Sequence, residues 1–72
     1  NNKIYPNPVT SQLNIKSEKL IHQVKIYDFK GKLKMVSDKF RDINVSNFSA
    51  GFYFIELYFS DGNFSIEKFI KD

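Results

Sequence analysis

A chain of 72 residues forms one domain and buries only about 60% of its unfolded surface, and with no cysteine and His22 as its lone histidine it has neither a disulfide framework nor a zinc site to staple it. Packing must supply the stability, and the material is aromatic: Phe occurs 8 times and Tyr 4 times, which suits a thin two-layer core. The net charge of +3 is spread along the chain, with no cationic block for nucleic acid, and no apolar run approaches the roughly 20 residues of a transmembrane segment.

In chain order, "KIY" (Lys3 to Tyr5) predicts a short edge strand. "YPNP" follows, and proline both fixes its own φ and drives the preceding residue out of the helical region, so Tyr5 and Asn7 are extended. The resulting stiff kink joins the first strand to a second sheet, and Pro6 and Pro8 have no ladder donors to offer. Leu13 and Ile15 then alternate with Gln12, Asn14 and Lys16, the pattern of a strand with one buried face. "KSEKLI" (Lys16 to Ile21) is the one place for a helical turn, too short to be more than a connection. Val24 and Ile26 alternate with Gln23, Lys25 and Tyr27, and "DFKG" (Asp28 to Gly31) is a turn into a strand marked by Leu33 and Met35.

Ile43 and Val45 mark a further short strand, and "SNFSAG" (Ser46 to Gly51) is a polar corner anchored by Phe48. "FYFIELYF" (Phe52 to Phe59) is apolar at every position but Glu56, which predicts a central strand covered on both faces. "SDGN" (Ser60 to Asn63) is a tight hairpin. The last strand, Asn63 to Ile70, has Phe64 and Ile66 in one phase and Phe69 in the other, which predicts a bulge near Glu67 and Lys68. About seven short strands at roughly ten-residue spacing make an all-β chain, a small antiparallel β-sandwich.

The chain is poor in chemistry. His22 has no partner that makes a nucleophile, the carboxylates are scattered, and "SDGN" has too few oxygen ligands for calcium. Lys25, Lys30, Lys32 and Lys34, interleaved with Tyr27 and Phe29, read as solubility and edge protection rather than a nucleic-acid surface. The sequons at Asn44, Asn47 and Asn63 are expected by chance in a chain rich in Asn and Ser. The expectation is a non-enzyme with no metal, no cofactor and no nucleic-acid partner.

"YPNP" with "LNI", then "VKIYDFKGKL", then "INVSNFSAGFYFI", then "KFIKD" together resemble the C-terminal sorting domain, in its type A form, of proteins exported by the type IX secretion system of Bacteroidetes. The resemblance covers essentially the whole chain, with Ser11 standing where the family often has an acidic residue. It implies an immunoglobulin-like sandwich, with residues 1–72 forming a single C-terminal sorting domain appended to an upstream cargo. The implied partners are an outer-membrane translocon, its shuttle protein and a sortase-like peptidase cutting upstream of residue 1. The cargo passes through the periplasm to the cell surface or the medium, and the domain is a monomer or weak dimer.

Carried over to this sequence, the family's motif positions are Pro6, Asn7 and Pro8, Tyr27, Asp28 and Gly31, Gly51 and Tyr53, and Lys68, Phe69, Ile70 and Lys71. Gly31 and Gly51 fit turn backbone and Tyr53 a buried aromatic beside a corner. The final strand, with Lys68 and Lys71, is the expected recognition element, offering its backbone edge to a receptor. Removing the last five residues is expected to leave the sandwich folded and abolish export. The competing reading is a fibronectin-like adhesion or spacer module of a surface protein.

Overall fold

Alternation of apolar and polar residues folds into strands where it was expected, and Leu13, Ile15, Val24, Ile26 and Ile43 meet in a shared interior. Leu33, expected on the same face as Met35, is exposed instead, because the register of its strand with the preceding one shifts between Ile26 and Tyr27. The computed structural model describes residues 2–72. Its strands are β1 (Lys3–Tyr5), β2 (Gln12–Lys16), β3 (Ile21–Asp28), β4 (Leu33–Ser37), β5 (Ile43–Asn44), β6 (Gly51–Phe59) and β7 (Phe64–Lys71). They form two antiparallel sheets, β1-β2-β5 and β4-β3-β6-β7. The chain crosses between sheets from β2 to β3, from β4 to β5 and from β5 to β6, which is the connectivity of an immunoglobulin-like sandwich.

The core lies between the sheets. Leu13, Ile15 and Ile43 face Val24, Ile26, Tyr53, Ile55, Leu57, Phe59 and Phe69, and the connections add Val9 and Val45. Each such side chain contributes on the order of 1.5–3 kcal/mol by leaving water. The proline kink does the joining expected of it: β1 pairs with β2 in the small sheet, and a few residues later Val9 forms a parallel bridge with Lys71 of the large one. Both Tyr5–Pro6 and Asn7–Pro8 peptide bonds are cis.

Three further expectations are corrected. β6 is central but covered on one face only: Tyr53, Ile55, Leu57 and Phe59 are buried, whereas Phe52 and Phe54 are exposed. A two-layer sandwich has nothing to lay on the outside of its larger sheet. β7 has no bulge at Glu67 and Lys68; its register with β6 runs unbroken from Gly51↔Lys71 to Tyr58↔Phe64. Phe64 and Ile66 share the outward phase with Lys68 and Ile70, while Phe69 is inward, so the apparent phase change was apolar residues on an exposed face. The irregularities fall on β3 instead, between Ile21 and Gln23 against β6 and between Ile26 and Tyr27 against β4. "KSEKLI" contains no helical turn; it bends through Ser17 to Leu20 and enters β3 at Ile21.

Candidate functional site

The ends of β3 and β7 and the start of β6 lie side by side, because all three pairings are antiparallel. One cross-strand row reads Asp28↔Tyr53↔Phe69, and the next, one residue further along β7, is Phe52↔Ile70. Tyr53 sits at the centre. Its ring stacks on Phe69 with centroids 5.4 Å apart and tilts against Phe48 at 5.1 Å. Its hydroxyl donates to the Ser49 carbonyl at 2.6 Å, tying the start of β6 to the corner that precedes it. This is the tyrosine corner of immunoglobulin-like folds, in which a tyrosine early in the second-last strand bonds back to backbone a few residues upstream. Burial raises the Tyr53 hydroxyl's pKa above the ordinary tyrosine value, and the nearby Asp28 carboxylate adds to it.

Asp28 organises the turn after β3. One carboxylate oxygen accepts the backbone amides of Lys30 and Lys32, both at 2.9 Å. The amide of Gly31 donates to the Asp28 carbonyl at 2.9 Å, with Gly31 at φ +88, a left-handed conformation that side chains resist. The amide of Lys32 holds the Asp28 carboxyl below its usual range, with Lys30 and the charges of Lys34 and Lys32 acting the same way against a smaller opposing effect of burial. Tyr27 points to the opposite, outer face of the sheet. There the Glu56 carboxylate, taken up by the Tyr27 hydroxyl, pushes the tyrosine up to about 12.

The N-terminal motif lies along the outer edge of β7. The Asn7 side-chain oxygen accepts the Ile70 amide at 2.9 Å. The Val9 amide donates to the Ile70 carbonyl at 2.8 Å, and the Asp72 amide donates to the Val9 carbonyl at 2.9 Å. Prolines suit the positions on either side of Asn7, because neither residue has a donor that this edge would leave unmet. Pro6, Asn7 and Pro8 are themselves exposed.

Motifs separated by up to 63 residues along the chain therefore meet at one end of the sandwich. Pro6 to Pro8, Asp28, Gly31, Gly51, Tyr53, Phe69, Ile70 and Lys71 all belong to that end. Tyr27 and Lys68 flank it on the outer face, both opposite Phe54. The last motif splits by phase: Phe69 and Lys71 are buried, and Lys68 and Ile70 are exposed. The Lys71 ammonium donates to the main-chain oxygen of Asp72 at 2.9 Å. Val9 and Ser49 are members of the assembly that sequence reasoning missed. A single apolar residue directly after Pro8 was the available signal for Val9, while the Ser49 carbonyl has no sequence signature.

Among the described residues no group of three or more His, Asp or Glu is placed to hold a metal ion. An open depression of about 500 Å³ lies near Ile21, at the far end of β3 from Asp28, and includes Tyr5, Phe40, Lys19 and Arg41 in its lining.

Compared with known families, residues 3–72 match the secretion system C-terminal sorting domain. The chain belongs to that family. No individual curated protein matches it. Membership favours the sorting reading of this domain over that of an adhesion or spacer module. The match spans all seven strands, so the described sandwich is the family's domain itself.

Proposed function

We propose that this sorting domain is the address of a type IX secretion cargo. Attached behind the cargo, it is read in the periplasm by the outer-membrane translocon and its shuttle protein. A sortase-like peptidase then cuts upstream of residue 1, leaving the cargo on the cell surface or in the medium. The observation that supports this most is the family match over residues 3–72, joined to the convergence of the four motifs on one end of the sandwich. The domain acts by binding, without chemistry of its own.

The structure changes the test that sequence alone suggested. Phe69 is 0% exposed and stacked on Tyr53, so removing the last five residues deletes a core aromatic together with the strand that bonds to Val9. Such a truncation unfolds the domain, and loss of export would not separate recognition from folding. Lys71, being buried, acts through the fold, whereas Lys68 is free to be contacted.

The deciding experiment fuses residues 1–72 behind a periplasmic signal peptide and a fluorescent reporter, in a host with a working type IX system and in its translocon-null derivative. Reporter outside the wild-type cells, retained in the null strain and shortened by the mass of this domain, is the expected result. Reporter held in the periplasm of both strains refutes the proposal.

A further inference from the structure

The outer face of the large sheet is exposed and apolar where a soluble domain would ordinarily be polar. Phe52, Phe54, Phe64, Ile66 and Ile70 are between 38% and 59% accessible. They alternate along β6 and β7 and adjoin across the ladder, with Phe52 opposite Ile70 and Tyr58 opposite Phe64. At about 200 Å² for a whole aromatic side chain, the patch amounts to roughly 450 Å². That is the size of the largest apolar patch on an ordinary monomer, about 300–600 Å², which is often a functional surface.

Its charge is positive. The Lys25 ammonium stands 5.3 Å from the Tyr58 ring centre and the Lys68 ammonium 5.6 Å from that of Phe52. Glu56, the carboxylate within the patch, is already committed: it lies opposite Lys25 and accepts the Tyr58 hydroxyl at 2.8 Å. Lys25 thus already faces Glu56, and the cation that a partner's carboxylate finds opposite no acid is Lys68, which lies across from Phe54 and over Phe52.

The same strand has a stretch of edge whose backbone groups lack main-chain partners, although the Asn2 side-chain amide donates to the Ser65 hydroxyl and the Glu67 carboxylate on the inner side of that edge. Ile70 and Asp72 are covered by Asn7 and Val9. Phe64, Ile66 and Lys68 share the lateral phase of Ile70, and among the described residues no hydrogen bond reaches their outward amides and carbonyls. Because both periods are two, the residues with free backbone groups are those whose side chains lie on the apolar face.

We propose that the Phe64–Lys68 edge of β7 and the adjoining outer face form one docking surface for an extended strand of a partner protein, apolar at alternate positions and bearing carboxylates. This rests on the sorting reading and names the recognition element within it. A second copy is disfavoured, since stacking two such faces sets lysines against lysines and buries well under the roughly 800 Å² per partner of a stable interface. A lipid surface is disfavoured, because the unpaired backbone groups at the patch margin cost several kcal/mol each in hydrocarbon and gain partners only from another strand.

The test titrates the isotope-labelled 72-residue chain with an acetylated peptide of alternating valine and glutamate, with its valine and lysine counterpart, and with phosphatidylglycerol vesicles. The glutamate peptide is expected to shift and protect the Ile66 and Lys68 amides and to bind at least about tenfold tighter than the lysine peptide. Lys68→Glu should reverse that preference. Ile66→Pro, which removes an outward amide and no β6 bond, should abolish the protection. Shifts confined to another surface, equal affinity for the two peptides, preferential vesicle binding, or self-association through this face without peptide binding would each overturn the proposal. In the export assay both variants should leave reporter in the periplasm while their melting curves show them folded. Folded variants exported as well as the parent domain overturn the docking surface and leave the sorting reading standing. A parent domain that is itself retained refutes the sorting reading, and the peptide titration then decides the docking surface alone.

Discussion

Replacing Tyr53 by Phe isolates the tyrosine corner from everything else the residue does. The ring remains, with its stacking on Phe69 and contact with Phe48, and what disappears is the 2.6 Å hydrogen bond from the hydroxyl to the Ser49 carbonyl. Ser49 is exposed, so its carbonyl regains water and the loss is that of one ordinary hydrogen bond, about 1 kcal/mol. In a domain of 60–100 residues that lowers Tm by about 4–8 °C, a readily measured part of a total stability on the order of 4–11 kcal/mol. Thermal unfolding followed by circular dichroism at neutral pH reads it directly. The pH dependence supplies a second test. Burial raises the pKa of Tyr53 in the folded state above its unfolded value near 10, so its contribution is fully present below pH 10 and is lost as pH rises through the folded value. Tyr53→Phe should therefore show a shallower alkaline fall than the parent, with the remaining fall due to Tyr27 and Tyr58, both raised beside Glu56. A variant melting within about 1 °C of the parent, with an unchanged alkaline limb, would mean that the corner contributes nothing to stability.

Phe69→Ala should cost about 3–5 kcal/mol, a large share of the total stability, and a chain lacking residues 68–72, which loses the β7 edge pairing as well, should show no cooperative melt in calorimetry. Asn7→Ala deprives the Ile70 amide of its acceptor; about 1 kcal/mol is expected, with faster hydrogen exchange at Ile70 and little change at Ile66. Asp28 has a lowered pKa in the folded state, so its contribution is present above pH 4 and is lost as pH falls through the folded value; Asp28→Ala should flatten that acid limb in pH-dependent melts. Gly31→Ala meets no atom within 4 Å, so any cost comes from the left-handed backbone alone, about 1–2 kcal/mol in chemical denaturation.

The strands were legible because period-two patterning reports burial, and burial fixed the inner faces of β2, β3 and β6 as the alternation of Leu13, Ile15, Val24 and Ile26 suggested. The same logic misled where apolar residues served the outside. Phe52, Phe54, Phe64 and Ile66 look like core to any reading that equates apolar with interior, so β6 was assigned two covered faces and β7 a bulge it does not have. At the site, the turn chemistry of "DFKG" and the corner role of Tyr53 could be read locally, since each depends on neighbours within a few residues. The pairing of Asn7 and Val9 with Ile70 and Asp72 could not, because it follows from where two distant segments end up once the sheets have stacked. Nor does local sequence distinguish buried Lys71 from exposed Lys68; their phase follows from the unbroken β7 register.

The clasp between the first and last motifs also makes one end of the sandwich a single unit. Asn7 and Val9 are near the start of the domain, yet their hydrogen-bond partners are Ile70, near the end of its last strand, and Asp72, just past it. A chain interrupted anywhere before Phe69 lacks the inner stack on Tyr53 and the edge that Asn7 closes. A domain built this way loses one whole end of the sandwich at once when its final strand is missing, instead of fraying residue by residue.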